Sequence, residues 1–231
     1  MRTTAVAALL LAVVSTQSFA AAHQGSLTSA DGGLLGTGPW INQSMLPAQE
    51  QPAWVPATIT WTVTQNPDSS WHYEYRLNAY KFDVSHLDVQ APSGFAPGDI
   101  RNAWGTFRDL TIGMFEPKNG SPNMPGSLYG IRFDETYGHE VRVSFDSPKP
   151  PVWGSFYAKG GRPRDTEWNA IWNKDFLSQF IYHSGPNDGH ILVPGSCSHP
   201  GFPLVPEPGG MVALGGGLMS IGAFAMRRKP R

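Results

Sequence analysis

Six of the seven histidines could serve a metal. His23 would be the first residue of a chain cut after Ala22, and a terminal histidine offers copper both its amino group and its imidazole. A second histidine completes such a clamp, and His72, His86, His139, His183 and His190 are available for it. A copper centre of that kind would carry monooxygenase chemistry. Oxygen ligands for a hard cation gather on the loop from Asp134 to Glu140, where Asp134, Glu135 and Glu140 could hold calcium, although EF-hand spacing is missing. Cys197 and His199 have the types of a nucleophile and its base. Two residues apart in a Pro/Gly loop, they read better as a loose thiol and a bystander. No Gly-x-Ser-x-Gly elbow, His-Glu-x-x-His, P-loop or Gly-x-Gly-x-x-Gly is present, while the paired carboxylates of a glycosidase stay open because the fold and not the spacing sets their geometry.

Aromatic side chains offer the main binding chemistry. Trp104, Trp153, Trp168 and Trp172, if exposed, would present flat apolar platforms to sugar rings, with nearby Asn and Asp reaching the hydroxyls. The competing use is packing. The chain holds eight Trp, seven Tyr and twelve Phe, and rings that bury on the order of 150–250 Å² each can stabilise a domain built of short strands.

The elements that must position these residues read as β-strands. Ile59, Trp61 and Val63 alternate with threonines from Thr58 to Thr64, a turn follows at 66–70, and Trp71, Tyr73, Tyr75 and Leu77 alternate with His72, Glu74, Arg76 and Asn78. That pattern predicts a hairpin with one buried face. Further strands are expected over 82–89, 106–114, 128–134, 140–146, 152–158 and 191–193, separated by Gly/Pro/Asn/Asp clusters. Their number and spacing predict an all-β fold, an antiparallel two-sheet sandwich of jelly-roll or immunoglobulin-like type. One stretch departs from it: Trp168, Ile171, Trp172, Phe176 and Phe180 lie near helical spacing and predict a short helix within 165–182. Residues 23–53, rich in Gly, Ser and Pro without a period, predict an irregular leader ahead of a domain over 54–202.

Both ends of the chain carry transport signals. Arg2, the apolar stretch 5–14 and the small residues at 18–22 form a secretory signal peptide over 1–22, with cleavage after Ala20 or Ala22. At the other end, residues 203–231 hold a linker, then Pro206-Glu207-Pro208, then an uncharged run of 18 residues from Gly209 to Met226, then Arg227-Arg228-Lys229-Pro230-Arg231. As a helix that run spans roughly 27 Å, enough to cross a bilayer, and the basic cluster would hold its end in the cytoplasm. This ending resembles the PEP-CTERM sorting signal of exported proteins of Gram-negative bacteria. Stretches 125–133, 143–147, 151–160 and 191–194 are also similar to exported proteins bearing that tail. The resemblance implies recognition by an exosortase, with Pro206, Glu207, Pro208, Arg227, Arg228 and Lys229 as the sorting motif. It also implies a cell-envelope location, initially anchored in the inner membrane, in bacteria that make extracellular polysaccharide.

Setting aside residues 1–22 and 206–231 leaves 183 residues with 12 Lys and Arg against 17 Asp and Glu, a charge near −5 that argues against a nucleic-acid partner. A single cysteine allows no internal disulfide, so packing must hold an exported domain together. The expected role is a structural or adhesive surface protein rather than an enzyme, with no cofactor unless calcium binds. A carbohydrate-binding module for exopolysaccharide is the alternative, and a copper enzyme built on His23 a distant third.

Overall fold

A computed structural model describes residues 22–118, 120–161, 168–176 and 189–196. The described residues form thirteen strands. The first seven are β1 (Ala22–Thr28), β2 (Leu34–Thr37), β3 (Thr58–Gln65), β4 (Trp71–Asn78), β5 (Val84–Gln90), β6 (Arg101–Gly105) and β7 (Asp109–Phe115). The rest are β8 (Leu128–Asp134), β9 (Glu140–Ser147), β10 (Pro151–Gly154), β11 (Phe156–Gly160), β12 (Ala170–Asn173) and β13 (Ile191–Pro194). Every pairing is antiparallel, in a five-stranded sheet of order β1-β3-β4-β9-β6, a six-stranded sheet of order β2-β12-β11-β5-β8-β7, and a β10-β13 ribbon. The arrangement is an all-β sandwich, and among the described residues no helix is long and apolar enough to cross a membrane.

The alternation read from the sequence sets the core. Ile59, Trp61, Val63, Trp71, Tyr73, Tyr75, Val141, Val143 and Phe145 all bury their side chains on the inner face of the five-stranded sheet. Leu87, Val89, Ile131, Phe133, Phe156 and Ile171 meet them from the other sheet. Aromatic rings form the seam. Tyr73 stacks on Phe145 at 5.2 Å, and Phe145 reaches Phe133 of the opposite sheet at 5.9 Å. The ribbon closes one end of this core, with Ile191, Leu192 and Val193 buried and the Tyr75 hydroxyl donating to the Leu192 carbonyl at 2.8 Å.

Three expectations need correction. Residues 23–53 are not wholly irregular: β1 pairs with β3 along its full length, from Ala22 opposite Thr64 to Thr28 opposite Thr58, and β2 forms an edge of the second sheet. Gly25 shows why composition hid this, because β1 passes so close over Trp61 that any side chain there would strike the indole. The single strand expected over 152–158 is two, since Ser155 and Gln90 exchange backbone and side-chain bonds and the chain switches from the ribbon to the sheet at that point. In place of a helix, Ala170–Asn173 forms β12, held by β11 and β2 on either side. The signal peptide before Ala22, the remainder of the 165–182 stretch apart from 168–176, and the tail from 203 to 231 lie outside the described residues.

Truncating Trp61 or Tyr75 to Ala should cost about 3–5 kcal/mol in urea unfolding, because each leaves a ring-sized void between the sheets. Tyr75→Phe should cost about 1–3 kcal/mol, the penalty of leaving the buried Leu192 carbonyl without its donor.

Candidate functional site

The two outward sheet faces differ in chemistry. On the five-stranded sheet, cross-strand register sets Thr62, Glu74, Ser144 and Trp104 in one row and Thr60, Arg76 and Arg142 in the next. Glu140 is bonded by Arg76 at 2.6 Å and Arg142 at 2.5 Å, and these two cations hold its carboxyl below the usual range. Trp104 is 70% exposed, the one tryptophan of the eight that stands mostly clear of the protein.

Its backbone is irregular in a specific way. The register of β6 slips between Arg101 and Trp104 so that an extra residue bulges out, and Asn102 sits in the left-handed region at φ 51. Gly105 follows at φ 150, where a Cβ would run into the Arg142 carbonyl. The Asn102 amide donates to Asp146 at 2.6 Å, and the other oxygen of that carboxylate meets His72 Nδ1 at 2.7 Å. Burial raises the Asp146 pKa, but the bonds from Asn102, His72 and Asn66 outweigh it and hold the carboxyl below its ordinary value. The bulge that carries Trp104 is thus strapped to the neighbouring strand by a charged acceptor.

The six-stranded sheet carries a buried charged row instead. Tyr157, Asp88 and Arg132 lie side by side across β11, β5 and β8, with His86 and Lys159 one step along. Asp88 is fully buried and takes two bonds of 2.7 Å from Arg132, which also donates to Ser121 at 2.6 Å and lies 4.1 Å from the Phe115 ring centre. Burial pushes the Asp88 carboxyl up to about 6 against the pull of Arg132. Burial, reinforced by Arg132 and Lys159, pushes His86 down to about 3, so its ring is neutral beside that guanidinium. Tyr157, raised by burial and by Asp88, donates its hydroxyl to the Pro122 carbonyl at 2.6 Å. Ser121 and Pro122 belong to the 116–126 connection, so this row clamps that connection onto the sheet. A hollow of about 280 Å³ beside it is lined by Phe115, Lys118, Ser121 and Arg132, while Asp88 is sealed away beneath. Sequence reasoning missed Asp88, Arg132 and Tyr157 because each occupies a position that alternation assigns to solvent.

The remaining predicted site residues are dispersed. His23 faces the core side of β1 and its ring lies 6.3 Å from Trp71, with burial lowering its pKa. His72 is on the opposite face of that sheet, His86 is on the other sheet, His139 lies 3.6 Å from Asp83, and His190 is buried ahead of β13. His183, Cys197 and His199 lie outside the described residues. Asp134 accepts from the Glu135 backbone, Glu135 is turned into the left-handed region at φ 49, and Glu140 is committed to its arginines. Among the described residues no three His, Cys, Asp or Glu side chains gather as a metal site.

Three of the four sugar-stacking candidates are already engaged. Trp153 packs edge-on against Trp61 at 6.4 Å, lining a cleft of about 460 Å³ beside β1. Trp168 is covered by Lys159 at 4.2 Å, and Trp172 packs with Phe115, Leu128 and Tyr157. Trp104 is the only mostly exposed ring of the four, so the two exposed rings within one sugar spacing expected of a carbohydrate-binding module are not formed. No family model, curated protein or solved structure matches this chain.

The clamp has a pH signature. Unfolded His86 protonates below its ordinary 6.5 and the folded ring stays neutral to about 3, so its contribution to stability is lost as pH falls through that window. Asp88 acts in the opposite sense, because the folded carboxyl takes up its proton at about 6 and the unfolded one at 3.8. His86→Gln should therefore gain on the wild type by up to about 1.4 kcal/mol for each pH unit between 6 and 4 in urea unfolding. Parallel curves for the two proteins would contradict a neutral His86. Arg132→Ala should cost about 3–5 kcal/mol at pH 7, where it strands a buried carboxylate.

Proposed function

We propose that this is an exported structural or adhesive protein of the Gram-negative cell surface, without enzymatic activity, delivered by its signal peptide and sorted through its PEP-CTERM tail by an exosortase. The observation that carries this reading is in the sequence: a signal-peptide pattern over 1–22 is matched at the other end by Pro206-Glu207-Pro208, an uncharged run and a basic cluster. The residues that follow the candidate cleavage points pair with β3 from Ala22 to Thr28, so they belong to the sheet. At the other end Pro206, Glu207 and Pro208 follow β13 (Ile191–Pro194) in the sequence. A compact body between two removable or anchoring ends is what sorting at the inner membrane requires. Alternating crossovers between the two sheets favour the jelly-roll form of the sandwich.

Adhesion rather than catalysis fits the chemistry of the body. Its strongly perturbed groups, His86 and Asp88, are buried away from solvent, His86 beside Tyr157 and Asp88 beneath Arg132. The exposed chemistry is a flat polar sheet face. Such a face suits contact with other envelope material.

Two changes in the tail separate its two roles. Replacing Arg227, Arg228, Lys229 and Arg231 with neutral residues should let the Gly-rich segment slip through the membrane or insert poorly, because the cytoplasmic retention signal is gone. Glu207→Ala leaves the segment intact and should preserve insertion while abolishing processing. Mass spectrometry of the surface protein from cells that possess an exosortase reads the outcome. A wild-type protein still ending in Arg231 would make the tail a plain stop-transfer anchor.

A further inference from the structure

We infer that the outward face of the five-stranded sheet around Trp104 binds a neutral polysaccharide chain. The inference rests on the reading of this chain as an adhesive surface protein and names the surface and the ligand class. Trp104 is a large apolar ring at 70% exposure on a face whose strands otherwise present Thr, Ser, Asn, Asp, Glu, Arg and His side chains. A lone ring does not make the apolar patch that a protein partner would need to bury. A flat ring flanked by hydrogen-bonding groups does fit a sugar, whose C–H face stacks while its hydroxyls reach sideways.

Placement supports preorganisation. The bulge lifts Trp104 at the sheet edge, Asn102 is held in its left-handed conformation by the bond to Asp146, and His72 braces that carboxylate from the next strand. From Trp104 the row runs through Ser144 and Glu74 to Thr62, three interstrand steps or roughly 14 Å, room for a short run of sugar rings. Charge selects among polymers. Arg76, Arg101 and Arg142 balance Glu74, Glu140 and Asp146 on this face, so it offers no net attraction to an acidic polymer, and the body's excess of carboxylates opposes one. With one stacking platform the single-site affinity is low, and many copies on one surface would supply avidity.

The test is affinity electrophoresis of the full chain, purified in detergent, through gels containing the neutral or the acidic fraction of the producing cell's own exopolysaccharide. The neutral fraction should retard the wild type. Trp104→Ala should weaken that retardation at least roughly tenfold, about 1.4 kcal/mol, with an unchanged melting temperature. Trp104→Phe should keep most of it, and Asn102→Ala, which frees the bulge but leaves the ring, should weaken it in part. Retardation by the acidic fraction alone, no retardation by the neutral one, or equal retardation of Trp104→Ala and wild type would overturn the proposal, as would Trp104-dependent dimerisation in sedimentation. Binding by purified protein is independent of sorting. A failure here leaves the export reading standing, and an unprocessed tail leaves this one standing.

Discussion

The contact between the two sheets is aromatic, and everything else in the molecule is hung from it. One cysteine in the whole chain means that no internal disulfide ties the layers, so the seam of Tyr73, Phe145 and Phe133, with Tyr75 reaching across to the β10-β13 ribbon, must hold the domain by burial alone. Rings suit this task because each removes a large area from water while losing little side-chain freedom. The Tyr75 hydroxyl adds direction to that burial. Its bond to Leu192 places the last described strand against the core, so the ribbon caps the sandwich in one position rather than sliding along it.

Outside this seam the two sheets are treated differently, and the difference separates structure from function. On the far side of the six-stranded sheet the connection after β7 is tied down through Ser121 and Pro122 to Arg132 and Tyr157, with Asp88 buried beneath and His86 buried beside Tyr157. The ion pair carries a large desolvation cost, and its clear effect is to fix which connection covers the sheet, through Ser121 and Pro122. Perturbed acid and base groups at this spot therefore report a structural clamp. The five-stranded sheet keeps its outer face wet, its charges paired at the surface, and its bulge strapped open under Trp104.

Much of this could be read from residue order. Alternation in Thr58–Gln65, Trp71–Asn78 and Glu140–Ser147 marked the buried face correctly, because a period of two is a local property of the pleated chain. The proposed terminal signals rest on length, charge and motif, which act without a fold around them. Four strands escaped. β1 and β2 carry glycines that read as loop, β6 lacks alternation because it bulges, and β12 has aromatic spacing that mimics a helix over too short a window.

Residue order by itself therefore determined which faces are apolar and the absence of internal disulfides. It could not determine the fate of any one polar or aromatic side chain on an outward face. Asp88 and Glu74 both stand on the outward, alternating positions of strands, yet one is sealed and the other wet, because a connection distant in sequence covers the first and leaves the second. The same holds for tryptophan: Trp153 finds Trp61, Trp168 finds Lys159, and Trp104 is turned outward by a bulge whose strap is 44 residues away at Asp146. Coverage is a non-local property. Pairing between distant segments decides it, and no window of sequence contains both partners.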